Sequence, residues 1–426
     1  MRERECAPNR AREVGKPYTL RSLGLVAACG FALLTATVAL ADPLTVLPSV
    51  TLSEEYTDNV FFQVNPQSDF ITRLQLGLGV TYNTPRSQTT LSTATSAVYF
   101  AKRPSESQIS LANAQQLSLT STYAAAPQLS LAVNNGFVRS KNSNDLAFIL
   151  SPGGISAPPP EPDPSQGNPG NAAVVLPRGS ALNNSFGASA AYTFEPSWIT
   201  TVAYTNGYGS YTNPDSQNLT QRGLLTLTHP WSPSLSFNGN YSYSRFNSTN
   251  AADSESNAFY VGASYQYSEK WSGTASAGAS FNDSIEAGGA PTGVNAIYNL
   301  AVTRLLQERW GVTAGVSQNM TPSVGVAGAS VTLNTYLSSW ATLAKNLTGT
   351  VYVSYSNFNT SGPDFYLFST QIGLYYPVWR RVTAGLIYGF RQTDSVPGVT
   401  LTSGQTINAN SVQIRLSTVW PFQFDL

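Results

Sequence analysis

Few side chains in this 426-residue sequence could carry out chemistry, and their types narrow what that chemistry would be. His229 is the single histidine, and the two cysteines are Cys6 and Cys29. A Ser/His/Asp hydrolase needs an imidazole oriented by a carboxylate. His229 reads as part of a short turn, His229 to Pro233, with no carboxylate nearby in sequence, so neither enzymatic activity nor a cofactor is expected. Five cations, Arg73, Arg222, Arg381, Arg391 and Arg415, fall on the polar register of alternating segments. Clustered at a constriction, such charges would filter ions. Dispersed, they would satisfy carbonyls and tyrosine hydroxyls inside a protein wall. Sequence spacing leaves both readings open.

Aromatic residues share that register at Tyr260, Tyr336, Trp340, Tyr352, Phe358 and Tyr375. Planar rings stack on the C–H faces of sugars, so Tyr336, Trp340 and Tyr352, from neighbouring segments, are candidates for saccharide contact or for filling an interior. Glu54, Glu55, Asp58 and Asp69 are hard oxygen donors of the kind calcium takes. They lack EF-hand spacing, and no metal site is assigned; they read as a solvated rim.

The elements that must position these residues are strands. Leu235, Phe237, Gly239, Tyr241 and Tyr243 alternate with Ser236, Asn238, Asn240 and Ser242, and Val412, Ile414 and Leu416 alternate with Gln413, Arg415 and Ser417. Period two is the signature of a strand with one apolar and one polar face. The runs last about 10–13 residues, long enough to cross a bilayer obliquely. Their polar face is Ser, Thr, Asn, Gln and Gly, whereas a water-facing sheet would carry Lys and Glu. Trp198, Trp231, Trp271, Trp310, Trp379 and Trp420 mark strand ends, as an interfacial girdle would.

Composition agrees. Charged residues make up 11% of the chain and aromatics another 11%. With 23 basic and 23 acidic side chains there is no basic excess for nucleic acid. Connections alternate between short ones, such as Thr84-Pro85-Arg86, Ala126-Pro127-Gln128 and Lys345-Asn346, and long ones at 56–69, 101–107, 141–180, 209–217, 247–254, 283–293, 320–328, 359–364 and 392–407. The expected fold is therefore all-β: a transmembrane antiparallel up-and-down β-barrel of about 16–18 strands, with short turns on one side and loops on the other. The segment 141–180, with Pro158-Pro159-Pro160-Glu161-Pro162-Asp163-Pro164, reads as a long Pro-rich external loop.

The N-terminus has a basic region followed by an uncharged stretch ending in Ala39-Leu40-Ala41, the small-x-small pattern of a signal peptide. Cleavage after Ala41 would make residues 42–426 the barrel, remove both cysteines and leave 17 basic against 20 acidic side chains. Trp420, Phe422 and Phe424 share one face of the last strand, a signal for the barrel-assembly machinery, although Leu426 replaces the usual terminal aromatic and Pro421 interrupts the ladder.

The stretch Leu52-Ser53-Glu54-Glu55-Tyr56-Thr57-Asp58-Asn59-Val60-Phe61-Phe62, followed by Ser68-Asp69-Phe70-Ile71-Thr72-Arg73-Leu74, resembles the opening of the beta-barrel porin 2 family. The resemblance is sharpest over 52–80 and carries no catalytic residues. It implies the outer membrane of a Gram-negative bacterium, contact with its lipid, and a link to exopolysaccharide export or exosortase-associated functions. The combined expectation is a porin-like path for small hydrophilic solutes or saccharides; the alternative is a surface-binding barrel with an occluded lumen. The oligomeric state is open.

Overall fold

A computed structural model describes residues 43–111, 114–140, 180–194, 197–212, 215–249, 253–284, 293–307, 309–322, 329–359, 364–394 and 405–425. The chain divides into Leu44–Phe424 on the one hand and Met1–Pro43 with Asp425–Leu426 on the other. The expected signal peptide, Leu426 and nearly all of 141–180 lie outside the described residues.

Period-two alternation resolves into strands β1 (Pro43–Thr57), β2 (Asp69–Asn83), β3 (Ser87–Phe100), β4 (Ala114–Ala126), β5 (Leu129–Ser140) and β6 (Ala181–Phe194). These are followed by β7 (Trp198–Thr212), β8 (Asp215–Ser232), β9 (Leu235–Ser248), β10 (Ser254–Ser268), β11 (Trp271–Ser284) and β12 (Gly293–Gln307). The last are β13 (Trp310–Pro322), β14 (Ala329–Ala344), β15 (Leu347–Asn359), β16 (Phe365–Trp379), β17 (Val382–Thr393), β18 (Ile407–Val419) and the short β19 (Phe422–Asp425). Each strand through β18 pairs antiparallel with the next, and β18 pairs with β1, from Ser49 opposite Val419 to Thr57 opposite Ser411. The ring is closed, so it leaves no sheet edge. β19 resumes the ladder against β1 after Trp420-Pro421, where proline cannot donate.

The outside and inside of the ring separate cleanly. Leu52, Leu74, Leu78, Val202, Leu225, Val261, Leu300, Leu337, Ile372, Leu386 and Ile414 are exposed, whereas Thr51, Ser53, Ser242, Asn334, Ser356, Gln413 and Ser417 on the opposite parity are buried. Six of the seven tryptophans sit at the short-turn ends of their strands, and Trp231 and Trp379 stand 71% and 77% exposed. Exposed Tyr56, Phe70, Tyr99, Phe259 and Phe281 form a second aromatic belt toward the loops. An apolar band between two aromatic belts is the exterior that a bilayer solvates and water does not.

Three details depart from the sequence reading. The segment 209–217 is not a long loop: β7 runs to Thr212 and β8 starts at Asp215. His229 lies within β8 opposite Phe237, because a bulge between Pro230 and Ser232 accommodates the proline and moves the turn to Pro233-Ser234. A similar irregularity between Pro377 and Trp379 extends β16, leaving Arg380-Arg381 as the turn into β17.

Candidate functional site: the inner wall of β14–β18, β1 and β2

Lateral pairing shows which inward residues are neighbours. One row runs Arg73–Ser53–Arg415–Gly385–Tyr375 across β2, β1, β18, β17 and β16. The next toward the loops runs Glu55–Gln413–Ile387–Gly373–Thr350–Trp340. Beyond it Gln371 pairs with Tyr352, and beyond that Arg391–Ser369–Ser354–Tyr336 form a fourth row. Seven residues expected on the polar register, Arg73, Arg391, Arg415, Tyr336, Trp340, Tyr352 and Tyr375, thus share one sector of the wall. Arg73 and Arg415 flank Ser53, which puts their Cα atoms about 10 Å apart, two strand spacings.

The sector is polarised across its width. On its β1–β2–β17–β18 side, Arg73 donates to Glu55 and is only 7% exposed, while Arg391 stands in the lumen within electrostatic reach of both. A buried guanidinium needs such a partner, since unpaired charge is costly to desolvate. Three arginines against one glutamate leave a local cationic excess. On the β14–β16 side the rings rest on glycines. A Cβ on Gly311 would meet Trp340 Nε1 at 2.5 Å, one on Gly315 would meet Tyr336 Cε1 at 2.5 Å, and one on Gly373 would meet Tyr375 Cε2 at 2.7 Å. Glycine at these positions lets each ring lie against the backbone of the wall. Tyr375 meets Arg415 electrostatically across Gly385, which has no side chain to separate them.

Two expected residues lie elsewhere. Arg222 faces the lumen from β8, on the far wall, with Tyr260 as its electrostatic neighbour. Arg381 is exposed in the β16–β17 turn and so belongs to the rim, not to the lumen wall, because the bulge carries β16 as far as Trp379.

At its loop end the sector is capped by the chain itself. The connection between β1 and β2 turns inward and drives Phe61 against Ile71, Val98 and Phe100, and Phe62 against Ile407, Leu367 and Ala409. Polar anchors hold this wedge. Asp58 accepts from Asn410 N and Nδ2, both at 2.7 Å, and Asn59 Nδ2 donates to the carbonyls of Gln63 and Asn408 at 2.8 and 2.9 Å. Asp69, with no exposed surface, accepts from the backbone of Phe70 and Lys102 at 2.8 Å and pairs with Arg103 at 3.1 Å, whose guanidinium also lies over Phe61. Phe62 has φ 49, a left-handed conformation that a bulky residue keeps only when its surroundings impose it. Three of the four carboxylates read as a solvated rim are instead struts, Glu55 accepting from Arg73, Asp58 from Asn410 and Asp69 from Arg103, whereas Glu54 is exposed and accepts from Thr72. Among the described residues no group of acidic, histidine or cysteine side chains is arranged to hold a metal. The wedge was legible only as an unusual run of apolar residues in a loop, Val60-Phe61-Phe62.

His229 lies on the outer face of the far wall. It stacks on Trp198 with centroids 4.4 Å apart, and its Nδ1 is 3.3 Å from Ser197 Oγ. Among the described residues it has no carboxylate partner, so the pair is part of the aromatic belt.

The fold and this lumen define an 18-strand β-barrel with an asymmetric polar interior. Among solved structures it is similar to OccK7 (OpdD) of Pseudomonas aeruginosa, with a TM-score of 0.46 and 11% identity over 90% of this chain and 100% of that one. It is also similar to OccAB4 of Acinetobacter baumannii, with a TM-score of 0.45 and 10% identity over 90% of this chain and 99% of that one. No family model and no curated protein matches the sequence, so the resemblance to the beta-barrel porin 2 family rests on residues 52–80 alone.

Proposed function

We propose that this chain is a channel of the Gram-negative outer membrane that passes small hydrophilic solutes, with anions preferred over cations. The observation that carries the reading is a closed ring, apolar outside and polar inside, whose lumen concentrates Arg73, Arg391 and Arg415 against Glu55. A barrel of this strand number encloses a water-filled path when loops do not fill it. In this reading residues 1–41 form the signal peptide and the C-terminal strand addresses the barrel-assembly machinery. A role in polysaccharide export has narrower support: the 52–80 resemblance and the lumenal rings.

Purified protein in planar bilayers tests the proposal. Stepwise conductance and an anion-selective reversal potential under a salt gradient are expected; a membrane that stays closed at all voltages overturns it. The wedge of Val60, Phe61 and Phe62 favours a second reading, a surface barrel with an occluded lumen, and that is the outcome a closed membrane would support.

A further inference from the structure

Six tryptophans belong to the outer, turn-side belt; Trp340 alone points inward, where a polar wall has no need of an indole. Its surroundings explain the exception. Trp340, Tyr352 and Tyr375 occupy successive strands β14, β15 and β16, and all three are half-buried, neither sealed in the wall nor free of it. Trp340 lies on Gly311 and Tyr375 beside Gly373 and Gly385, so one side of each of these two rings is taken by the wall. Thr350, Gln371 and Ser338 stand between the rings with hydroxyl and amide groups. Arg415 closes the row next to Tyr375, and the wall beyond it is cationic.

We propose that this strip is a binding subsite for a short chain of pyranoses bearing carboxylates, that is, for an acidic oligosaccharide. The ring faces of Trp340, Tyr352 and Tyr375 stack on the C–H faces of successive sugars. Thr350, Gln371 and Ser338 exchange hydrogen bonds with their hydroxyls, and Arg415 pairs with a carboxylate, the geometry guanidinium suits best. A planar aromatic acid would satisfy the rings and Arg415 but leave the hydroxyl and amide groups unmatched. A neutral sugar would leave the cationic side unmatched. The subsite deepens the channel reading and rests on it for its purpose, though not for its existence.

The test is calorimetry on the full barrel in detergent micelles with trigalacturonate, with maltotriose and benzoate as comparison ligands and single-channel recording run in parallel. Trigalacturonate is expected to bind at least tenfold more tightly than either comparison ligand. Trp340→Ala and Arg415→Gln should each weaken it by tenfold or more, while a heat-modifiable gel shift reports that each variant is folded. Gly311→Ala, which displaces the indole without removing it, should weaken binding too. Absence of trigalacturonate binding, equal binding of maltotriose or benzoate, or unchanged binding in folded Trp340→Ala and Arg415→Gln overturns the proposal. Conductance without binding refutes the subsite and leaves the channel; binding without conductance does the reverse.

Discussion

The two halves of the barrel wall are built from the same backbone ladder and differ in what they present inward. From β14 through β18 to β2 the lumen face carries three arginines, a glutamate and large rings seated on glycines. From β4 to β13 it carries mostly small neutral residues, such as Thr201 and Ala203 on β7, Thr226 and Thr228 on β8 and Asn238 and Asn240 on β9, with Arg222, Phe246, Tyr260 and Ile297 among the larger exceptions. Both halves present the same kind of apolar exterior, so the lipid does not ask for the difference. It follows that closure of the barrel is specified by the alternation shared by both halves, and that charge and large rings on the lumen face are concentrated in one half. The self-folded wedge is seated on that same half, where Ile71, Val98 and Ile407 give it apolar footing.

The largest difference between the halves should appear on breaking their polar pairs. Asp69→Ala leaves the Arg103 guanidinium and two backbone amides without their acceptor in a fully buried position, at a cost of about 3–5 kcal/mol. Thr226→Ala on the plain wall removes a single neutral hydrogen bond, Thr226 Oγ1 to Asn240 Oδ1 at 2.7 Å, at a cost of about 1 kcal/mol. Urea unfolding in micelles followed by tryptophan fluorescence measures both. Equal losses would mean that the wedge anchor is no more buried in solution than the far wall.

Glycine substitutions should differ in sign. At Gly315 a new Cβ lands 2.5 Å from Tyr336, a ring only 6% exposed and therefore unable to swing away, so Gly315→Ala should destabilise by about 1–3 kcal/mol. At Gly207 on β7 the nearest atom is Thr220 Cβ at 3.8 Å, an ordinary contact. Alanine there recovers backbone entropy and should stabilise by about 0.5 kcal/mol. The same unfolding measurement decides; two losses of similar size would show that the rings do not rest on their glycines.

How much of this was readable in the sequence depends on range. Strand alternation is local, so the barrel, its approximate strand number and most turns followed from residues a few places apart. Proline misplaced one detail: Pro230 looks like a turn residue but sits in a bulge, which puts His229 in a strand. Arg381, named on the polar register, stands at the end of a short connection and so on the rim. Inward register was also local, which is why Arg73, Arg391, Arg415, Tyr336, Trp340 and Tyr352 could be named. Their gathering was not readable, because Arg73 and Arg415 become neighbours only when β18 closes on β1. The struts at Asp58 and Asp69 were hidden because their partners are remote in sequence: Asn410 reaches Asp58 only through that closure, and Arg103 reaches Asp69 across the β2–β3 hairpin.

The smallest expected effect tests the electrical side of the comparison. A unit charge about 8 Å from a permeating ion in water contributes about 0.5 kcal/mol, opposite in sign for an anion and a cation, so it biases one over the other about sixfold. Arg391 and Arg415 act at two levels of this wall, so Arg391→Gln with Arg415→Gln should lower the anion-to-cation permeability ratio by up to about 30-fold at low salt, and by less as ionic strength shortens the Debye length. Arg73 is left in place because its charge is tied to Glu55. Arg222→Gln on the plain wall removes one isolated charge and should lower the ratio by about sixfold at most. Reversal potentials across a tenfold salt gradient separate these values. If the Arg222 variant matches the double variant, the permeating ions do not distinguish the two walls, and the sector's charge is structural, neutralised by the carboxylate it packs against.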